Sequence, residues 1–339
     1  MNSLTSIRGL CVLLVIGTHL IPFLVILKIN FWNFGNTGVI GFFTLSSYLI
    51  CSALFNHNFS YKKFIIRRII RIYPLFIINF TVFIIVVNLL KRNEIDYSGF
   101  NFFHMRDWFL LIGNYTVINY SPFNHLWSVC VEMHFYLCLP LLALINKKLR
   151  NTVLIFLIIF SCGLNFYLVN NEVVHSVWTL TTSHLGSFCM GALLANNEGK
   201  FKKFAYSREV LILLIPSLIF YSSSNLFFRS RWSGVNYLLL SVMYMLILIV
   251  GLRNPSKKYR FLHYLGERSY SIYLTHFTII FIFMAEFKKG MPIQPGTATL
   301  LQITICFILI ILIGSLEYSI FERQILNFKT KVKFIKTQI

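Results

Sequence analysis

The chain has 339 residues, of which 57% are hydrophobic and only 12% charged. A soluble domain carries about a quarter charged residues, and the apolar residues here fall in long unbroken runs, so a soluble globular fold is excluded. A membrane β-barrel is also excluded, because its strands alternate in short segments. The formal net charge of +20 is scattered between the apolar runs and forms no single basic face. It therefore reads as membrane-orienting loops, and no nucleic-acid partner is expected.

The sequence predicts an all-α integral membrane protein of about ten transmembrane helices, since about 20 apolar residues cross a bilayer as a helix. The spans lie at about 8–28, 37–55, 72–90, 123–145, 152–169, 177–195, 209–228, 236–252, 269–286 and 297–320. The first run, about Gly9 to Leu27, is longer than a signal-peptide core and no A-x-A-like site follows, so it is expected to be retained. Between the third and fourth spans, residues 91–122 hold Glu94, Asp96 and Asp107 around a short apolar piece, Trp108 to Ile112, placed at the interface or as a re-entrant segment. The sixth span is the weakest, being interrupted by Thr179, Thr181, Thr182, Ser183 and His184. No repeat or linker divides the chain, so 1–339 is expected to be one polytopic domain with a basic tail at about 322–339. With ten spans, 23 of the Lys and Arg residues fall on the side of the N-terminus and 8 on the other. That bias predicts cytoplasmic N- and C-termini. The seven cysteines lie in or beside apolar runs without a C-x-x-C pair. Buried free thiols are expected, with no disulfide framework and no metal site.

Ionisable side chains inside a bilayer are costly and are functional candidates. In chain order the first set is Arg8 and His19. Eleven residues at about 1.5 Å each place His19 about 16 Å beyond Arg8, near mid-membrane, where a neutral imidazole suits general-base work; the alternative is a packing histidine. In RRIIRIYP, Arg68 and Arg71 are three apart and share a helix face, with Arg67 beside them. Pro74 is assigned to the first turn of the third span. Guanidinium forks bind phosphates, although basic residues here could equally anchor anionic headgroups. In HLWSVCVEMHFYLCLPLL, residues 125–142, Ser128 and Glu132 share a face, with His125 three before Ser128. A carboxylate two turns inside the span needs a partner such as an arginine or histidine from another helix, whether for chemistry or for structure. In LGERSYSIYLTH, residues 265–276, Tyr270, Tyr273 and His276 recur at intervals of three beside Ser269, as a polar groove or as aromatic packing. Glu317 and Glu322, near the inner end of the last span, read as solvated or headgroup-level carboxylates. No P-loop, H-E-x-x-H or G-x-S-x-G motif is present.

Taken in order, RGLCVLLVIGTH, GFFTLSSYLI, RRIIRIYP, LWSVCVEMHFYLCLPLL and FLHYLGERSYSIYLTH resemble the successive motifs of the acyltransferase family 3 membrane proteins across nearly the whole chain. The resemblance implies a multi-pass enzyme of the bacterial cytoplasmic (inner) membrane. Such an enzyme moves an acyl group, most often acetyl, from cytoplasmic acyl-coenzyme A to a sugar hydroxyl of a surface or exported glycan, such as a polysaccharide or lipopolysaccharide. By position, His19 resembles the catalytic histidine, with Glu132 beside it in the catalytic set. Arg8, Arg68 and Arg71 resemble donor-side arginines, and Ser128, Tyr270, Tyr273 and His276 the supporting or acceptor-side residues. No bound cofactor is implied, acyl-coenzyme A being a substrate; the other partners implied are a glycan or lipid-linked sugar acceptor and membrane lipid. His19 would deprotonate the hydroxyl or first accept the acyl group itself. Departures from the family pattern are Thr5 for an acidic residue, Ser47 for glycine, His184 for arginine and Gln324 for proline. The hydrolase-like domain fused to some members is not expected after the last span. The rival readings are a glycan flippase or transporter using His19 and Glu132 as a proton relay, and a non-catalytic scaffold.

Overall fold

A computed structural model describes residues 2–20, 34–56, 60–91, 102–116, 123–171, 177–204, 232–290 and 297–331. Every regular element among them is helical. In lipid the backbone has no water to bond, so each long apolar segment must satisfy its own N–H and C=O groups as a helix.

The principal helices are α1 (Asn2–Leu20), α2 (Phe34–Asn56), α3 (Tyr61–Lys91), α4 (Phe102–Phe109), α5 (Gly113–Thr116), α6 (Trp127–Cys138), α7 (Lys147–Asn170), α8 (Leu185–Asn196), α9 (Glu198–Phe204), α10 (Ser233–Arg253), α11 (Arg260–Glu267), α12 (Ser269–Gly290), α13 (Thr297–Glu317) and α14 (Arg323–Lys331). Seven helical segments among the described residues are long and apolar enough to cross a membrane. They correspond to the first five, the eighth and the tenth of the expected spans; the ninth appears as a shorter apolar helix, Ser269–Phe283. The segment 209–228 lies outside the described residues.

Two expectations about the spans change on contact with the structure. The sixth span is not one helix: 3₁₀ turns at Val177–Thr179 and Thr181–His184 precede the twelve-residue α8. The polar run explains the break. Carbonyls of Thr182 and Ser183 accept from the Ser161 hydroxyl and the Asn165 amide of α7 instead of continuing an α-helical ladder. Most of α8 is buried within the bundle, so it does not need to match the bilayer thickness. Pro74, assigned to a first turn, lies inside the continuous α3, because the helix begins a full three turns earlier at Tyr61.

Helices α3, α7 and α13 present a lipid-like exterior, with Val82, Ile85, Leu89, Phe156, Ile159, Leu301, Leu312 and Leu316 exposed. Helix α2 is the hub, packed on α1, α8 and α10. Small residues permit the close crossings. A Cβ on Gly9 would collide with the Leu262 carbonyl oxygen, and one on Gly266 with the Thr5 carbonyl oxygen, so α1 and α11 touch backbone to backbone. This crossing sets Arg8 on α1 beside the start of α12. Replacing Gly9 by Ala should therefore destabilise the bundle by about 1–3 kcal/mol through overpacking, read as a lowered thermal midpoint of the detergent-solubilised protein. An unchanged midpoint would show that the two helices can part at little cost.

Buried polar contacts fix the remaining geometry. Arg150 donates to the Leu142 and Ile145 carbonyls and to Asn196 Oδ1, each at 2.8 Å, capping the 3₁₀ segment Leu139–Leu144. The piece around Trp108 folds against α6, with Trp108 fully buried and Asp107 buried beside Arg106. All seven cysteines are free; five are buried, but Cys138 is exposed and Cys162 half-buried, so the expectation of uniformly buried thiols is corrected at those two.

Candidate active site

The helix crossings bring α1, α2, α3, α6 and α12 around one cavity of about 130 Å³. Its polar lining is Arg8 from α1, Ser46 from α2, Arg68 and Arg71 from α3, Ser128, Glu132 and Tyr136 from α6, and Ser269, Tyr270 and Tyr273 from α12. Val39, Phe42, Phe43, Leu49, Ile50, Ile72 and Val129 complete the wall. Helical spacing explains the stripes: Ser128, Glu132 and Tyr136 recur every four residues, and Arg68 with Arg71 every three.

Glu132 is held by two hydroxyls. Ser46 Oγ donates to its Oε1 at 2.9 Å, and the Tyr136 hydroxyl donates to the same oxygen. The Tyr136 ring in turn lies 5.0 Å from the Arg68 guanidinium, which is also 5.0 Å from the Phe64 ring. Two aromatic faces thus hold the planar guanidinium, a contact that stabilises by about 0.5–2 kcal/mol. Arg8 lies in the electrostatic field of Arg71, Glu132, Tyr136 and Glu322. Three arginines face one carboxylate in the cavity lining, a surplus of positive charge that favours an anionic ligand.

A second layer sits behind Tyr273. Its hydroxyl donates to the His125 carbonyl oxygen at 2.5 Å and accepts from Ser128 Oγ at 2.6 Å. The Tyr273 carbonyl accepts from His276 Nδ1 at 2.5 Å. The His276 ring lies 5.0 Å from the His19 ring and 5.8 Å from that of His125, with Phe277 against all three. His19 is on the last described turn of α1, and its Nδ1 donates to the Val15 carbonyl at 2.9 Å.

Seven of the nine residues singled out in the sequence, Arg8, Arg68, Arg71, Ser128, Glu132, Tyr270 and Tyr273, line the cavity together. His19 and His276 do not; they form the histidine layer behind it. Three further residues join the site. Ser46 and Tyr136 bind Glu132, and Tyr136 could have been found as the next residue of the Ser128–Glu132 stripe. Glu322, expected at headgroup level, is 4% exposed and accepts from Ser271 Oγ at 2.5 Å. A π-helical turn, Tyr318–Glu322, precedes α14 and shifts the helical phase there, which periodicity could not foresee. Glu317 is likewise buried and accepts from Asn79. Both correct the reading of these two as solvated carboxylates. The two departures His184 and Ser47 serve packing: His184 Nε2 donates to the Trp178 carbonyl at 2.7 Å within an aromatic cluster, and Ser47 Oγ donates to the Phe188 carbonyl at 2.5 Å.

The same residues sit inside a matched family. The family described as Acyltransferase domain covers residues 1–316. Among curated relatives, the peptidoglycan O-acetyltransferase OatA of Listeria monocytogenes is 28% identical over 312 residues, 82% of this chain and 49% of that protein. The O-acetyltransferase OatA of Staphylococcus aureus strain NCTC 8325 is 26% identical over 295 residues, 76% of this chain and 48% of that protein. The chain spans about half the length of the curated relatives it matches. No solved structure matches it. With the family match running from the arginine of α1 through the buried carboxylate of α6 to the tyrosines of α12, the chain belongs to the acyltransferase family 3 membrane proteins.

Proposed function

We propose that the chain is a membrane-bound O-acyltransferase that moves an acyl group, most often acetyl, from acyl-coenzyme A to a sugar hydroxyl of a cell-surface glycan, with a peptidoglycan-like glycan the first acceptor to test. The observation that carries this reading is the convergence of Arg8, Arg68 and Arg71 with Glu132, Ser128 and Tyr273 on one cavity inside an apolar bundle. The arginines suit the phosphates of the donor; a cavity of about 130 Å³ cannot hold the whole coenzyme, so those phosphates would meet the arginines with the adenosine left outside. The nucleotide end would then rest outside, on the basic cytoplasmic side that the charge bias assigns to the N-terminus, with both termini there and about ten spans in all. His19 is the base that takes the hydroxyl proton, acting in the bacterial cytoplasmic membrane. Relatives named as O-acetyltransferases support the acetyl group and the glycan acceptor; acyl transfer by this length of chain is tested directly below.

The test is reconstitution in sealed vesicles of known orientation, with labelled acetyl-coenzyme A supplied to one face at a time and peptidoglycan fragments as acceptor. Labelled acetyl ester on the glycan is expected only when donor reaches the face of the N-terminus. Glycan translocation without acylation in the presence of donor would overturn the reading in favour of a flippase. In the same assay Arg68→Lys keeps the charge but loses the planar fork that lies 5.0 Å from both the Phe64 and Tyr136 rings. Its donor KM should rise by about tenfold or more, corresponding to loss of about 1.4 kcal/mol or more of binding. Unchanged donor KM in both Arg68→Lys and Arg71→Lys would reduce these arginines to membrane anchors.

A further inference from the structure

Tyr270 and Tyr273 stand three apart on α12 and both line the cavity, yet they tie that helix to different neighbours. Tyr273 is bonded to Ser128 and to the His125 carbonyl, on the α6 side. The Tyr270 hydroxyl donates to the Ile72 carbonyl oxygen of α3 at 2.8 Å. A carbonyl inside a helix already accepts from the N–H four residues on, and its second lone pair is the one left for Tyr270. The hydroxyl is thus an added tie, not the repair of a stranded group. Packing against α3 alone would be met by phenylalanine.

The place of the tie on α3 explains its use. Ile72 follows Arg71 directly, and Pro74 comes two residues later inside the same helix. Proline has no N–H, so the Ile70 carbonyl has no α-helical donor. The ladder therefore lacks a rung between the half of α3 that carries Arg71 and the half that runs on to Lys91. A helix bends most easily at such a place, and Tyr270 grips the backbone within that turn. Tyr270 also lies in the electrostatic field of Arg71. Its one proton is committed to Ile72 O, so it is not a proton donor to the reacting atoms. Arg68 has a separate hold, the Tyr136 ring of α6 at 5.0 Å, so a tie at Ile72 bears most on Arg71.

We propose that Tyr270 is a donor-side positioning residue: its hydroxyl holds α3 at the proline break and thereby sets Arg71 where it meets the phosphates of the donor. This rests on the acyl-transfer reading above. It takes Tyr270 out of the acceptor-side group and leaves Tyr273, tied to α6, on its own there.

The test compares two donors in the reconstituted assay: acetyl-coenzyme A, and acetyl-pantetheine, the same thioester arm without phosphates or nucleotide. The ratio of their kcat/KM values reports the contacts to the phosphate-bearing end and does not depend on the amount of folded protein. Tyr270→Phe should cut the preference for acetyl-coenzyme A about tenfold, through a higher KM for that donor. Its kcat at saturation and its KM for acetyl-pantetheine should stay within about twofold. Tyr273→Phe removes a hydroxyl from the same helix but no tie to α3, and should leave the preference within about twofold. In an Arg71→Gln background, Tyr270→Phe should change the preference by less than about twofold, because the two residues act as one unit. An unchanged preference in Tyr270→Phe, an equal loss with both donors, an equal fall in Tyr273→Phe, or a loss that adds in full to that of Arg71→Gln would overturn the proposal. A parent protein that transfers label from acetyl-coenzyme A keeps the acyl-transfer reading whatever Tyr270→Phe shows. A parent protein that transfers none overturns both.

Discussion

Replacing His19 by Ala should reduce labelled acetyl transfer to background while the protein still inserts and accumulates. The reason is chemical, not architectural. His19 sits on the last described turn of α1 with its Nδ1 committed to Val15 O, so its Nε2 lone pair is the basic atom the ring offers. Loss of a positioned base removes on the order of 10²–10⁴ in rate. If His19 instead carries the acyl group, its loss removes the covalent route entirely. The structural cost is small by comparison, because the side chain is half-buried and the helix backbone keeps its own hydrogen bonds; a loss of about 1 kcal/mol is the ordinary size for one substitution. The measurement pairs product formation with folded yield in the same membranes. Product close to the parent level from a well-accumulated His19→Ala protein would falsify the catalytic assignment. Failure to accumulate would be separated by His19→Gln, which retains polarity and bulk but is a far weaker base.

Much of the site was legible in the sequence because helical spacing is arithmetic. Arg68 and Arg71 at three apart, and Ser128 and Glu132 at four apart, could only share a face, and the cost of a buried carboxylate required polar partners for Glu132. What periodicity could not supply was which helices would meet. The hydrogen-bond partners of Glu132 are hydroxyls, Ser46 from α2 and Tyr136 from its own helix, while Arg8 and Arg68 from other helices act on it through charge alone. Nor does a linear reading separate layers. Arg8 and His19 share a helix, yet Arg8 lines the cavity while His19 packs with His276 behind it. Glu322 was misread for a sharper reason: a π-helical turn shifts the phase of the last helix, so a residue assigned to headgroup level becomes buried against Ser271. The sixth apolar segment failed as a span because its Thr–Ser–His run trades helical bonds for bonds to α7. Each miss falls where a side chain or a local geometry competes with the regular backbone, which hydropathy does not measure.

The Glu132→Gln exchange should separate chemistry from donor binding with the least disturbance of shape. Glutamine Oε1 can accept from both Ser46 and Tyr136 as the carboxylate does, so the Tyr136 ring keeps its place under Arg68. What disappears is the one negative charge among the three arginines of the cavity lining. The positive surplus grows, so a polyphosphate donor should bind at least as tightly, and donor KM should stay level or fall. Turnover should drop by about 100-fold, the order seen when a preorganised electrostatic group is removed from a water-excluded site, because Arg8 and Arg68 lose the negative charge in whose field they lie. A fall in kcat with no rise in donor KM is thus the expected signature. A rise in donor KM with unchanged kcat would make Glu132 part of the donor scaffold, and no change in either would confine it to packing. Glu132→Ala provides the structural control: it strands the buried Tyr136 hydroxyl and deprives Ser46 of its acceptor, at about 1–3 kcal/mol for each group left unpaired. Its thermal midpoint should therefore fall well below that of Glu132→Gln, and equal midpoints would mean that these two hydrogen bonds contribute little to holding α2 against α6.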